Sequence, residues 1–176
     1  EVGRGALAGP VVAAAVILPK FSKLAGVRDS KELTSRQRLK LFSEIKAQAV
    51  SFGIGIVSHR WVDKINIKNA TFMAMKKAIR QLKYQPDLIL VDGFAIPDLA
   101  MNNQGVIKGD KKSLSIASAA ILAKVVRDEI MLKFHKYFPE YNFKQHKGYP
   151  TRQHLATLKS LGACPIHRQS YEPVRA

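Results

Sequence analysis

The chain has 176 residues, 47% of them hydrophobic, which suits one domain with a hydrophobic core. It carries 29 Lys and Arg against 13 Asp and Glu, giving a net charge of +16. Such a charge favours nucleic acid as the partner, because phosphates reward basic surfaces through counterion release. Anionic membranes and acidic proteins are the alternatives, and charge alone does not indicate an enzyme.

Cysteine use and hydropathy exclude several further classes of protein. Cys164 is the only cysteine, which excludes an internal disulfide framework and a Cys-based zinc site and fits a reducing cytoplasm. The longest apolar run, Val11 to Leu18, is too short to span a bilayer. Residues 1–10 lack the order of a signal peptide, so we expect a cytoplasmic protein without a membrane anchor.

The periodicity of apolar residues predicts strands alternating with helices in one domain, residues 1–176. Thr34 and Gln37 resemble a capping box, which predicts where the first helix begins. Strands are predicted at 11–18, 51–58, 88–93 and 105–107, and helices at 35–49, 61–67 (a short turn), 70–82, 113–138 and 151–161, the last capped by Gly162. This alternation favours an α/β layer structure with helices packed on a central sheet.

Two carboxylates stand where ligands tend to bind. Asp92 ends an apolar strand immediately before Gly93, and ligands of open α/β sheets lie beyond the carboxyl ends of strands. Asp110 precedes the longest helix, beside two lysines. Taken singly, each is better interpreted as structural, an Asp-Gly turn and a solvated helix approach.

The remaining motifs either indicate a ligand site less strongly or exclude zinc-binding and serine-nucleophile chemistry. Glu1 precedes the tripeptide Gly3-Arg4-Gly5, in which glycine allows close backbone approach and arginine offers a charge to phosphate. The five histidines show no metal-binding spacing, and no serine has a credible base. Carboxylates converging in a basic protein suit a pair of oxygen-preferring cations that act on a phosphodiester.

Six segments, in order along nearly the whole chain, resemble the type 2 ribonucleases H (ribonuclease HII). They are EVGRGALAGPVVAAAVIL at 1–18, RDSKELT at 28–34, LILVDG at 88–93, KGDKKSLSIASAAILAKVVRDEIM at 108–131, HKGYPTRQH at 146–154 and GACPIHRQSYEPV at 162–174. The resemblance implies a ribonuclease H-like fold, with a five-stranded mixed central sheet flanked by helices and a helical C-terminal part. It also implies a carboxylate site for two Mg²⁺ or Mn²⁺ ions.

The resemblance also assigns roles to residues. Glu1, Asp92 and Asp110 match metal-binding, catalytic carboxylates of the family. Gly3, Arg4 and Gly5 resemble the loop that senses the 2′-hydroxyl at an RNA–DNA junction, and Tyr149 matches the tyrosine that stacks on the next sugar. Further matches, to phosphate contacts, are Ser30, Lys31 and Lys124, for which a loop serine and surface lysines are the structural alternatives.

Two departures from the family pattern stand out. The Asp expected just before Glu1 is absent, and we interpret this as truncation of the first strand that impairs cleavage by this chain. Family members often carry Ser where this chain has Ala120, with Ser118 two positions earlier. The second departure concerns one polar contact rather than the fold.

The predicted activity is endonucleolytic hydrolysis of the phosphodiester on the 5′ side of a ribonucleotide, leaving 3′-hydroxyl and 5′-phosphate ends. The predicted substrates are RNA–DNA hybrids and duplex DNA containing single ribonucleotides, and the family implies a monomer. One alternative is a non-catalytic basic protein that binds nucleic acid. The other is a different nuclease on the same fold, such as a Holliday-junction resolvase, which needs no 2′-hydroxyl.

Overall fold

The computed structural model describes residues 1–175, in which strands alternate with helices over the first half and four helices follow one another over the last part. The four strands are β1 (Val11–Ile17), β2 (Ser51–Val57), β3 (Ile89–Asp92) and β4 (Asn103–Val106). The six helices are α1 (Ser35–Gln48), α2 (His59–Ile79), α3 (Gly109–Lys112), α4 (Leu114–Tyr137), α5 (Phe143–His146) and α6 (Arg152–Leu161). Two 3₁₀ turns cover Ser30–Glu32 and Pro139–Tyr141. The predicted α/β class is confirmed.

The β1–β2 pair forms the centre of the molecule. The two strands are antiparallel, with Val11 opposite Val57 and Ile17 opposite Ser51. Helices α2 and α4 pack against this pair, and the backbone of α2 lies so close to β2 that a Cβ at Gly55 would collide with the carbonyl of Ala74. Buried aliphatic residues of β1, α1 and α4 form the core on the α4 side.

The second pair, β3–β4, is parallel and separate. Ile89 lies opposite Asn103 and Asp92 opposite Val106. A cavity of about 260 Å³ lies between the pairs, lined by residues of both β1 and β3. The predicted five-stranded sheet is therefore not confirmed, since residues 1–175 hold four strands in two pairs.

The cavity exposes one edge of β1. Val12 and Val2 exchange two backbone hydrogen bonds, of 2.8 and 3.0 Å. Backbone groups alternate sides along an antiparallel strand, so the edge that Val2 covers continues at Ala14 and Val16, which line the cavity. Unlike β1 and β2, the facing edges of β1 and β3 are not joined by a ladder in the described residues.

Local sequence signals set most helix ends. The side chain of Thr34 accepts from the backbone of Gln37, whose own side chain accepts from Thr34, so the capping box is confirmed. Helix α2 unites the predicted turn and the predicted second helix, which meet at the non-helical Asn66 (φ 62°, ψ 165°). The predicted final helix and its Gly162 cap are confirmed in α6.

The segment 139–150 contains the second 3₁₀ turn and α5, which with α6 form the predicted helical C-terminal part. Tyr141 and Phe143 are buried in a core cluster with Met131 of α4. Within residues 1–175, no helix combines the length and the hydropathy needed to cross a bilayer.

Candidate active site

Two of the three predicted carboxylates line the same cavity. Asp92 is the last residue of β3, and Glu1 lies across from it beyond the start of β1. The Glu1 side chain is 13% exposed, and its Oε1 accepts from Arg4 at 3.4 Å. Its Oε2 is buried and has no hydrogen-bond partner among the described residues. A buried carboxylate oxygen without a donor is costly unless a ligand satisfies it.

Asp110 is tied to Asp92 through Gly109. The amide N–H of Gly109 donates to Oδ1 of Asp92 at 2.9 Å, and Asp110 follows in the first turn of α3. A Cβ at Gly109 would lie 2.6 Å from Cδ1 of Ile116 and 3.3 Å from Oδ1 of Asp92, so a larger residue here would require both side chains to shift. The chain thus fixes the end of β3 and the start of α3 beside each other.

These carboxylates suit an oxygen-preferring divalent cation, and the free oxygen of Glu1 gives such an ion a ligand. They are not already gathered, however. Among residues 1–175, no three His, Cys, Asp or Glu side chains lie close enough together to hold a metal ion. The structure brings Glu1 and Asp92 to one cavity, and it places Asp110 one residue beyond the Asp92 contact.

The Gly3–Gly5 loop is held from beneath by Arg168, which is fully buried. Its guanidinium donates to the carbonyl oxygens of Gly3 at 2.6 Å, Arg4 at 2.8 Å and Gly9 at 3.0 Å. Tyr171 adds a hydroxyl hydrogen bond to the Arg4 carbonyl at 2.9 Å. The carbonyls of the loop therefore point into the protein.

The loop is open beside Arg4 and Gly5, whereas Gly3 is buried. Within residues 1–175, no backbone hydrogen bond uses the amide N–H of Gly3, Arg4 or Gly5. The Arg4 side chain is 55% exposed, and the space beside Gly5 is empty. Gly3 has φ +96°, and a Cβ there would collide with the Arg127 side chain. The predicted tripeptide thus offers backbone donors and one cation to a ligand.

Tyr149 lies against two cations. The Arg127 guanidinium lies 5.2 Å and the Lys124 ammonium 6.0 Å from the centre of its ring. Arg127 is fully buried and donates to the carbonyls of Pro10 at 2.9 Å and Lys147 at 3.0 Å. It therefore connects the segment after the Gly3–Gly5 loop to the loop that carries Tyr149.

The remaining predicted phosphate contacts lie along the same chain of interactions. Lys124 pairs with Asp128 at 2.8 Å, and Arg38 approaches Asp128 at 4.0 Å. Arg38 also donates to the carbonyl of Ser30 at 2.9 Å. Lys31 is exposed, whereas Ser30 is buried, so Ser30 offers less to a ligand than Lys31.

Arg127 and Arg168 were missed by the sequence reasoning. The sequence could have predicted that Arg127 is buried, because it lies four residues from both Ala123 and Met131 on the same face of α4. Arg168 lies in an irregular tail without periodicity. Burial lowers the pKa of Arg127 to about 10, which leaves it charged at neutral pH. Both guanidiniums donate to backbone carbonyl oxygens, and these hydrogen bonds stabilise the two positive charges in the protein interior.

The second departure from the family pattern, Ala120 with Ser118 nearby, lies at the cavity and in the adjacent core. Ala120 lines the cavity beside Asp92, and Ser118 is buried with no partner for its hydroxyl among residues 1–175.

Comparison with known proteins agrees with this geometry. The family model for ribonuclease HII matches residues 1–174. The ribonuclease HII of Caldanaerobacter subterraneus subsp. tengcongensis is 53% identical over 171 residues, which cover 97% of this chain and 71% of that protein.

Two solved structures share the fold. Ribonuclease H2 of Pyrococcus horikoshii OT3 superposes with a TM-score of 0.82 at 26% identity, covering 99% of this chain and 92% of that one. Bst-RNase HIII in complex with Mn²⁺ superposes with a TM-score of 0.69 at 18% identity, covering 99% of this chain and 66% of that one, a likeness that shows the fold alone. With the family model spanning the carboxylates, the glycine-arginine loop and Tyr149, the chain belongs to the ribonuclease HII family of ribonuclease H endonucleases.

Proposed function

We propose that this protein hydrolyses the phosphodiester on the 5′ side of a ribonucleotide, leaving 3′-hydroxyl and 5′-phosphate ends. Its substrates are RNA–DNA hybrids and single ribonucleotides embedded in duplex DNA. The family supports the class of reaction. The choice of bond is what the resemblance to this family implies.

One observation carries the proposal: directly after Glu1, the carbonyls of Gly3 and Arg4 accept hydrogen bonds from buried Arg168, whereas Arg4 and Gly5 are exposed and their amides make no backbone hydrogen bond among residues 1–175. The 2′-hydroxyl that distinguishes RNA from DNA is both a donor and an acceptor. A fixed row of backbone N–H groups can recognise its oxygen, while Arg4 binds a neighbouring phosphate. Because Glu1 lies two residues from Gly3, recognition and chemistry share one segment.

Tyr149 and the surrounding cations hold the rest of the substrate. An aromatic ring on the sugar of the next nucleotide would position the deoxyribose side of the junction. Arg127 and Lys124 contact the ring from the protein side, and Lys124 and the exposed Lys31 are the lysines that would bind phosphates. Ser30 contributes at most through its immediate neighbours, since it is buried.

Glu1, Asp92 and Asp110 are the residues that would hold the divalent cations. When bound, two ions supply an activated water and stabilise the leaving oxygen of a phosphodiester. The protein's part is to present carboxylate oxygens at one end of β3 and α3, as the Gly109 contact does. The Mn²⁺ held by Bst-RNase HIII supports Mg²⁺ or Mn²⁺ as the ion.

The proposed setting follows from the same features. A net charge of +16 suits an enzyme that works on nucleic acid, and the one cysteine, Cys164, is free and buried, as a reducing cytoplasm allows. We propose a monomer, as the resemblance to the family implies.

The test is cleavage of a labelled DNA duplex that contains one ribonucleotide, with Mg²⁺ or Mn²⁺. Controls are the all-DNA duplex and a chelator. Asp92→Asn is the test variant, and Asp87→Asn is its matched control, because Asp87 is an exposed carboxylate just before β3. We expect cleavage 5′ of the ribonucleotide, lost in Asp92→Asn and kept in Asp87→Asn.

The expected fourth ligand is tested in the same assay. A chain extended by an Asp before Glu1 is expected to cut faster than the 176-residue chain. Cutting of the all-DNA duplex would favour a different nuclease. Binding without cutting by either folded chain would favour the non-catalytic alternative.

A further inference from the structure

Three histidines form a buried cluster beneath the loop that carries Tyr149. His146 is 7% exposed, His154 is 0% and His167 is 1%. The rings of His146 and His154 stack with centroids 4.3 Å apart at 14°. Nε2 of His154 lies 3.0 Å from Nε2 of His167, which is hydrogen-bond distance. Their burial makes them structural residues rather than contacts to nucleic acid.

The hydrogen bonds fix where each proton lies. Nδ1 of His167 lies 2.9 Å from the amide nitrogen of Cys164, a donor, and 3.3 Å from the carbonyl oxygen of the same residue; the shorter contact places the proton of this ring on Nε2. His167 therefore donates to Nε2 of His154. That leaves the proton of His154 on Nδ1, where it donates to the carbonyl of Tyr149 at 2.9 Å. A directed chain thus runs from Cys164 to the backbone of Tyr149.

His146 holds the preceding residue in the same way. Its Nδ1 accepts from the amide of Gly148 at 3.1 Å, and its Nε2–H donates to the carbonyl of Tyr141 at 2.6 Å. The two stacked rings therefore bind consecutive residues, Gly148 and Tyr149. This is a more specific arrangement than apolar packing, since each ring nitrogen has one defined partner.

The cluster is built for neutral rings. Burial lowers the pKa of all three histidines, that of His167 to about 4. An added proton on His167 Nδ1 would face the Cys164 amide, and one on His154 Nε2 would face the donor of His167. No carboxylate among the described residues hydrogen-bonds to the cluster to offset such a charge.

We propose that His154, oriented by His167, is a positioning residue for Tyr149, and that it sets substrate affinity by fixing the carbonyl of that residue. The inference rests on the proposed contact between Tyr149 and the substrate sugar. His154 touches neither the substrate nor the carboxylates, so it acts on binding and leaves the chemical step alone.

Two substitutions separate this role from general stability. In His154→Asn the side-chain NH₂ stands near the former Nδ1 and can still donate to the Tyr149 carbonyl. In His154→Gln the amide reaches the former Nε2 position instead, so the Tyr149 bond is lost. We expect KM about tenfold higher in His154→Gln, the scale of one lost hydrogen bond, with kcat unchanged. His154→Asn should stay close to the parent chain.

A double-mutant cycle tests whether the effect passes through Tyr149. In a Tyr149→Ala background, His154→Gln should raise KM no further. His167→Asn is a second way to disturb His154. The Asn side-chain oxygen can still accept from the amide of Cys164, but no group then donates to Nε2 of His154. This variant should shift KM in the same direction as His154→Gln, even where one of the His154 variants fails to fold.

Amide hydrogen exchange gives a readout that does not depend on activity. The amide of Thr151 donates to the Tyr149 carbonyl at 2.8 Å and that of Gly148 donates to His146. Both should exchange faster in His154→Gln than in His154→Asn. Equal exchange and equal KM in the two variants would overturn the inference. If Tyr149→Ala leaves KM unchanged, the substrate role of Tyr149 in the proposed function fails, and the exchange comparison still decides whether His154 holds the loop.

Discussion

The Gly3–Gly5 loop is held by the buried guanidinium of Arg168, which donates to three of its neighbouring carbonyls, whereas Glu1 keeps a buried oxygen with no partner among residues 1–175. We call the first region, with the Tyr149 loop, the recognition half, and Glu1, Asp92 and Asp110 the carboxylate half. In the recognition half, the buried carbonyl groups find their hydrogen-bond donors within the protein. The carboxylate half borders a cavity and lacks partners that a bound cation would supply.

The comparison teaches where each half gains its stability. Buried polar groups of the recognition half satisfy one another, so removing one leaves several others unpaired. The carboxylate half has few hydrogen-bond donors, and the buried Oε2 of Glu1 has none among residues 1–175, so a bound cation would stabilise this half. Substitutions in the two halves should therefore separate stability from activity.

The largest effect is expected from Asp110→Asn. We predict a fall in kcat/KM of roughly 10²–10³-fold, the scale of losing one preorganised contact to the transition state. The midpoint of thermal unfolding should change little, because Asp110 is only partly buried and Asn keeps its size. Cleavage assays and calorimetry measure both. A loss of stability as large as the loss of activity would break the comparison.

Arg168→Met should have the opposite profile. It leaves the carbonyls of Gly3 and Gly9 buried without donors, which we expect to lower the free energy of unfolding by roughly 3 kcal/mol. Urea denaturation measures the change. The matched control is Arg152→Met, at an exposed position at the start of α6, which should change it by less than about 0.5 kcal/mol. Equal effects of the two substitutions would contradict a special role for Arg168.

Acid should weaken the recognition half. The pKa of His167 is lowered from 6.5 to about 4, mainly by burial. Repulsion from the nearby rings of His154, His146 and His59, when they carry a proton, contributes to this lowered pKa. Below pH 6.5 the unfolded chain therefore binds more protons than the folded one. The stability that the neutral ring contributes is full above that pH and falls as pH drops towards about 4. Unfolding in urea at several pH values should show this decline, and His167→Asn should make it shallower.

The smallest effect is expected at the surface. Lys31→Ala should weaken substrate binding modestly and reduce the slope of log affinity against log salt by about 1, as for one lost phosphate contact. Lys83→Ala, an exposed lysine near the far end of β2, is the control and should leave the slope unchanged. Titrations at several salt concentrations measure both. The same slope for Lys31→Ala and the parent chain would remove Lys31 from the substrate path.

Sequence patterns anticipated most of the local structure. Helix α1 begins where the Thr34 capping box places it, and α6 ends at Gly162, because short-range hydrogen bonds decide both. The Asp92-Gly93 and Gly-Asp motifs lead to two of the site carboxylates, and their closeness to each other follows from the Gly109 contact. The predicted five-stranded sheet is not confirmed, because β1 and β3 face each other across a cavity rather than through hydrogen bonds.

By itself, the sequence determined the order of strands and helices, the basic character of the protein and the motifs that assign it to its family. These depend on periodicity, composition and residues close together in the chain. Only the tertiary structure decided that Arg127, Arg168 and three histidines are buried and which backbone groups they bind. Arg168 bonds to Gly3 across 165 residues, and no local pattern can specify a partner so distant. Burial gives such contacts their strength, and it arises only when the whole chain packs.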